Sequence, residues 1–207
     1  MSACFGPGDG GVLTLDSLLD RASNNPPSGC DVMREGRRTR VRLWGSLPFE
    51  WCGNLSLHCR AANVNIVDLD ARHLGTSRWV ASLLVEPMDE SGILESSDFV
   101  TMSRHRPGLA RSPGPALLDE FQLTTSDANG CALLYLRAPD RIGLLAGVLD
   151  AIVRSALRPR RLSVRTRNGR AEDWLELGSA ATAAPTADSI DALRSQLTTG
   201  LATPATI

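Results

Sequence analysis

This chain contains no lysine; all 22 of its basic residues are arginine. That removes Schiff-base and phosphate-loop lysine chemistry at once. Aromatic residues are scarce, at 4%, with a single tyrosine. The formal net charge is -1, so charge alone argues neither for nucleic acid nor for a membrane surface as partner. No apolar run approaches the roughly 18 residues that a membrane span requires. The start, MSACFGPGDGG, has neither the basic nor the apolar stretch of a secretory leader. The five cysteines, at 4, 30, 52, 59 and 131, form no Cys-x-x-Cys pair and are odd in number. They read as free thiols in a reducing, cytoplasmic compartment. His58, His73 and His105 show no metal-ligand spacing with each other or with the cysteines. No Gly-x-Ser-x-Gly, Walker loop or pair of catalytic carboxylates is present, so neither metal nor cofactor nor catalysis is expected.

What is present is a soluble globular composition, 43% hydrophobic and 22% charged over 207 residues. That length can bury most of its unfolded surface without disulfides or metal. Residues 1–36 read as an extension with a short helix at 14–23. Asn24 to Gly29 reads as a turn, and residues 103–115 as a Pro/Gly-rich loop.

Two segments of similar layout remain. In the second, Cys131–Ala138 is a strand by composition. From about Ile142 a helix follows, with Leu144, Leu145, Val148, Leu149, Ile152, Val153, Ala156 and Leu157 on one stripe. Asp150 and Arg154 make an i,i+4 pair, and Pro159 is expected to stop the helix. Asn168-Gly169 between two alternating runs signals a type I′ hairpin. Counting outwards from that turn, Arg165 faces Glu172, Val164 faces Asp173 and Leu162 faces Leu175. One face then holds Leu162, Val164, Thr166, Ala171, Asp173 and Leu175, with Asp173 the misfit. The other sets Arg161 and Arg165 against Glu176 and Glu172. A second helix is expected over 188–198, and a weak last strand over 201–207.

The first segment echoes this order. Arg40–Trp44 reads as a strand, Glu50–Ala62 as a helix, and Val64–Ala71 with Trp79–Val85 as a hairpin. Its second helix and last strand are assigned to Pro115–Glu120 and Phe121–Thr125. The expected fold is α+β: two ferredoxin-like βαββαβ units, over 37–126 and 127–207. Each has an antiparallel sheet with helices on one face, and the period is about 90 residues.

The stretch LYLRAPDRIGLLAGVLDAIVRSAL, with RLSVRTRNGRAEDWLEL after it, resembles the ACT domain. More narrowly, it is similar to the tandem ACT repeats at the C-terminal ends of nitrogen-signalling nucleotidylyltransferases. The matching positions are Asp140, Arg141, Ile142, Gly143, Leu144 and Leu145, then Thr166, Gly169 and Asp173-Trp174. Ile142 stands where the family has proline. The first segment resembles the family only in layout, since Leu47-Pro48-Phe49-Glu50-Trp51 lacks the glycine. Arg106-Pro107-Gly108-Leu109 is a chance match, with no amphipathic helix after it.

The resemblance implies a non-catalytic regulatory protein that binds an amino acid at an interface between two domains. The turn Asp140, Arg141, Ile142, Gly143 and Leu144 would form one wall. Unpaired amides at a helix start suit a carboxylate, a glycine admits close approach, and an acid could meet an ammonium group. Each feature has a plainer alternative. Gly143 could relieve crowding, Asp140 could cap the helix, and Asp173 could be a structural acid. The alternative function is a ligand-free interaction or dimerisation module, acting as a homo-oligomer or on a partner enzyme. An RNA-binding sheet is disfavoured, because the central-strand aromatic motif is missing.

Overall fold

The computed structural model describes residues 28–75, 77–89, 98–108, 116–126, 130–180 and 184–200. The helix expected at 14–23, the strand expected at 201–207 and most of the 103–115 loop lie outside these residues.

Eight strands and four helices are described. The strands are β1 (Gly29–Glu35), β2 (Arg38–Ser46), β3 (Val64–His73), β4 (Arg78–Pro87), β5 (Glu120–Ser126), β6 (Cys131–Pro139), β7 (Leu157–Arg167) and β8 (Arg170–Ser179). The helices are α1 (Trp51–Ala61), α2 (Phe99–Arg104), α3 (Leu144–Arg154) and α4 (Ala187–Thr199). All strands join one antiparallel sheet in the order β1-β2-β4-β3-β7-β8-β6-β5.

Two βαββ runs build this sheet, β2-α1-β3-β4 and β6-α3-β7-β8. Arg38, Trp51 and Val64 open the first three elements of one run. Cys131, Leu144 and Leu157 open those of the other, in each case 93 residues later. The irregularities repeat as well. Asn63 and Ala156 both adopt positive φ, at 54° and 56°, where each helix turns into the next strand. The ladder slips between Ile66 and Asp68, and again between Pro159 and Arg161. The runs meet where β3 pairs β7, from Asp68 opposite Arg165 to Arg72 opposite Arg161.

Alternation dictates which face is dry. Leu43, Leu69, Leu83, Leu134, Leu162 and Leu175 share one buried cluster with Trp51 and Leu55 of α1 and Val148 and Ile152 of α3. Leu193 of α4 and Phe99 of α2 belong to the same cluster. The opposite face carries Arg40, Asp70, Arg165, Tyr135 and Trp174.

The hairpin of β7 and β8 has the register read from its turn: Leu162 opposite Leu175, Val164 opposite Asp173, Arg165 opposite Glu172. Asn168 and Gly169 supply φ of 51° and 73°, as a type I′ turn requires. Arg165 nevertheless makes its ion pair with Asp70 of β3, at 3.7 Å, across the joint of the two runs.

Three expectations are corrected. Helix α3 ends at Arg154, not at Pro159. The positive φ of Ala156 reverses the chain and lets Leu157 enter β7 fully buried, and Pro159 lies inside that strand. Val153 accordingly stays 47% exposed. Asp150 and Arg154 do pair, at 2.9 Å. Residues 116–120 form no helix; the Leu118 amide instead donates to the Gly200 carbonyl at 2.8 Å. Phe121–Thr125 is a strand, but β5 pairs β6, and the second helix of the first run is α2. The place beside each run's first strand is thus filled by the strand that precedes it, β1 beside β2 and β5 beside β6.

Candidate functional site

The turn between β6 and α3 is held at both ends. The Asp140 amide donates to the Gly169 carbonyl at the hairpin tip, at 2.9 Å. The Asp140 carboxylate accepts from Asn65 Nδ2 of β3, in the other run, at 2.7 Å. Asp140 is therefore a cross-joint acceptor and does not cap the helix. The helix-capping position belongs to Gly143, and no side chain caps α3. First-turn amides of a helix have no partner within the helix; that of Leu144 is taken by the Arg141 carbonyl at 3.1 Å, so the amides after it are the donors this end of α3 offers.

Gly143 sits at φ +88°, in the left-handed region that residues with a Cβ avoid. A Cβ built there would also stand 2.9 Å from Arg60 Cδ. The close approach at this glycine is thus made by an arginine of α1. Arg141 is exposed, Ile142 half-buried, and Leu144 buried in the core.

These residues enclose a small cavity of about 20 Å³ at the joint. That volume suits about one water molecule. Its walls come from both runs: Ser56 and Cys59 of α1, Asn65 of β3, the turn, Thr166 of β7 and Asp173 of β8. Asp173 is 1% exposed, and neither of its carboxylate oxygens has a side-chain hydrogen-bond partner; the Arg165 amide of β7 is the backbone donor near it. Burial pushes its pKa up to about 7; the Arg165 amide opposes the rise and the Asp140 charge adds to it. Burial also pushes the Cys59 thiol up to about 12 and raises that of Cys52 further, so both are inert at neutral pH. Among the described residues no group of three or more His, Cys, Asp or Glu converges on a metal position.

The equivalent turn of the first run is built differently. Glu50 occupies the position of Gly143, at φ −80°. Phe49 packs beside it, with ring centroids 5.0 Å from His73 and 6.4 Å from Trp79. The Arg158 guanidinium lies 4.5 Å over the Phe49 ring. Burial and Arg160 hold the His73 pKa below its usual value. An aromatic plug thus fills the side of this turn that meets β3 and β4, while a wider cavity of about 320 Å³ lies against Pro48, Phe49 and Glu50, with Arg104, Arg106 and Asp150 on its other walls.

The sequence placed the five residues of the turn together, and the structure keeps them contiguous. It did not reveal Asn65, Arg60 and Ser56 as their neighbours, since these come from the other run. Thr166 and Asp173 carried a signal, because the hairpin register set both on the apolar face.

No family model matches the chain, and no curated protein matches it. Among solved structures it is similar to aspartate kinase from Synechocystis, at 13% identity and a TM-score of 0.44. That likeness covers 86% of this chain and 31% of the other, so this chain spans less than a third of that protein.

Proposed function

We propose that this chain is a non-catalytic regulatory protein of ACT type that senses an amino acid. In this reading its two βαββ runs are ferredoxin-like units, over 37–126 and 127–207, with β1 added to the first from the preceding extension and β5, at the end of the first span, added to the sheet of the second. The ligand sits at their joint, against Asp140, Arg141, Ile142, Gly143 and Leu144. The observation that carries the reading is the uncapped start of α3, which faces a polar cavity walled by α1 and β3 of the other run. An amino acid is larger than that cavity, so binding requires the Arg60 side chain, lying over Gly143, to swing aside. The protein then works in the cytoplasm as a homo-oligomer or on a partner enzyme.

A thermal-shift screen against the twenty amino acids tests this. Ligand at 100 times its dissociation constant raises stability by about 2.7 kcal/mol. One amino acid or a small related group is expected to shift the midpoint. Light scattering at micromolar concentration tests self-association.

The second reading is a ligand-free interaction module. It is favoured by the Asp140 carboxylate already engaged with Asn65 and by the small size of the cavity. Absence of any binding at millimolar amino acid selects it.

A further inference from the structure

Three polar groups from three different elements line the joint cavity without a well-formed hydrogen bond, although the Arg165 amide lies near Asp173 and the Cys52 thiol near Ser56. They are the Ser56 hydroxyl of α1, the Thr166 hydroxyl of β7 and both carboxylate oxygens of Asp173 on β8. Buried polar atoms in folded proteins are nearly always hydrogen-bonded, so each exception calls for an explanation. Four of the eleven such side-chain atoms among the described residues line this one cavity, and these four share one chemistry. A carboxylate only accepts, and the two hydroxyls accept as well as donate. A buried carboxylate is costly unless a positive charge meets it. A single water would serve the hydroxyls but, above about pH 7 where Asp173 is ionised, would leave that charge unmatched.

We infer that this cavity is a subsite for a primary ammonium group, held by the Asp173 carboxylate and the Ser56 and Thr166 hydroxyls. An ammonium has three N–H donors and no acceptor, which matches three acceptor groups. The volume, about 20 Å³, admits a head the size of a water molecule and excludes a trimethylammonium or a guanidinium. The negative charge excludes a carboxylate, so the ligand enters ammonium first. Its acid end is left outside, towards the uncapped start of α3. This inference rests on the amino-acid reading above and names which end of the ligand is buried. The other titratable or charged groups around Asp173 and the cavity are Cys59, Asp140 and Arg141 on its wall, Cys52 of α1 beside Asp173, and Arg60 over Gly143. Protonation of Asp173 removes the charge that holds the ammonium, so binding weakens as pH falls below neutrality.

The test uses the full chain at pH 8, with the twenty amino acids and the N-acetyl form of any that binds. It also compares methylammonium chloride with tetramethylammonium chloride at equal ionic strength. Binding is read by calorimetry and thermal shift. The expected result is binding by the free amino acid and none by its N-acetyl form. Asp173→Asn should weaken binding at least tenfold, and Thr166→Val and Ser56→Ala severalfold. Methylammonium should raise the unfolding midpoint of the wild type above that in tetramethylammonium, and Asp173→Asn should erase the difference. The N-acetyl and methylammonium comparisons need no variant, so a poorly folding substitution does not spoil them. If free and N-acetyl forms bind alike, and Asp173→Asn binds as well as wild type, the inference falls and the amino-acid reading stands. If no amino acid binds while methylammonium alone stabilises the wild type, the amino-acid reading falls and the ammonium subsite stands. If neither binds, both fall.

Discussion

Asn65 donates to the Asp140 carboxylate at 2.7 Å, joining the two halves of the molecule through side chains 75 residues apart. The bond is part-buried, and its acceptor is charged. Asn65→Ala is expected to cost about 1–3 kcal/mol, the range for stranding a hydrogen-bonded group. Asp140→Asn keeps an acceptor and should cost less. Urea unfolding of both single variants and the double variant gives the coupling directly. A coupling near zero would show that the contact does not hold the joint.

Gly143→Ala combines two penalties, a left-handed φ and a contact with Arg60. The backbone part is about 1–2 kcal/mol. Arg60→Ala in the same chain should recover only the contact part, because the arginine tip can move and the backbone cannot. Denaturant midpoints of the two variants and their combination separate the parts. Full rescue by Arg60→Ala would mean that the φ imposes no strain.

The buried carboxylate of Asp173 predicts an unusual pH profile. Its folded pKa, about 7, lies above the ordinary value of 3.8, so the folded state holds the proton more tightly than the unfolded state. Stability from this group is therefore full below about pH 4 and declines as pH rises towards 7, by an amount on the order of a few kcal/mol. Above pH 7 the loss is complete. Asp173→Asn removes this slope and should be more stable than wild type at pH 8. A wild-type stability that does not fall between pH 4 and 7, relative to Asp173→Asn, contradicts the assignment.

Phe49→Ala removes the plug beside the other turn. Loss of the ring contacts with His73, Trp79 and Arg158 is expected to cost about 2–3 kcal/mol, less than a fully buried phenylalanine. Amino-acid binding at the Asp140 turn should be unchanged, since Phe49 lies at the other member of the pair. A parallel loss of binding would show that the two turns act as one.

The readable parts of this molecule were those set by local chemistry. Asn168-Gly169 dictates a tight turn, the turn dictates the register, and the register places Asp173 on the apolar face. The stripe of α3 was legible for the same reason up to Ile152. Its end was not, because Ala156 turns left-handed, a conformation that alanine does not announce. The joint was invisible for a different reason. Pairing of β3 with β7 depends on which strand edges remain open after each hairpin has formed, and no short motif records that. The roles of β1 and β5 followed the same logic: a preceding strand filled the outer place in each half. Arg60 over Gly143 and Asn65 on Asp140 are side-chain consequences of that joint, so they were hidden with it.

A sheet closed through β3 and β7 also sets the order of events in folding. Each βαββ run can form from near neighbours, whereas Asp68 must find Arg165, and Arg72 must find Arg161, across most of both runs. Such distant closure is slow compared with hairpin and helix formation. Until it occurs, each half presents a bare strand edge able to accept its counterpart from any other copy. Concentrated refolding should therefore yield exchanged dimers, in which β3 of one molecule pairs β7 of another and each joint is rebuilt from two chains.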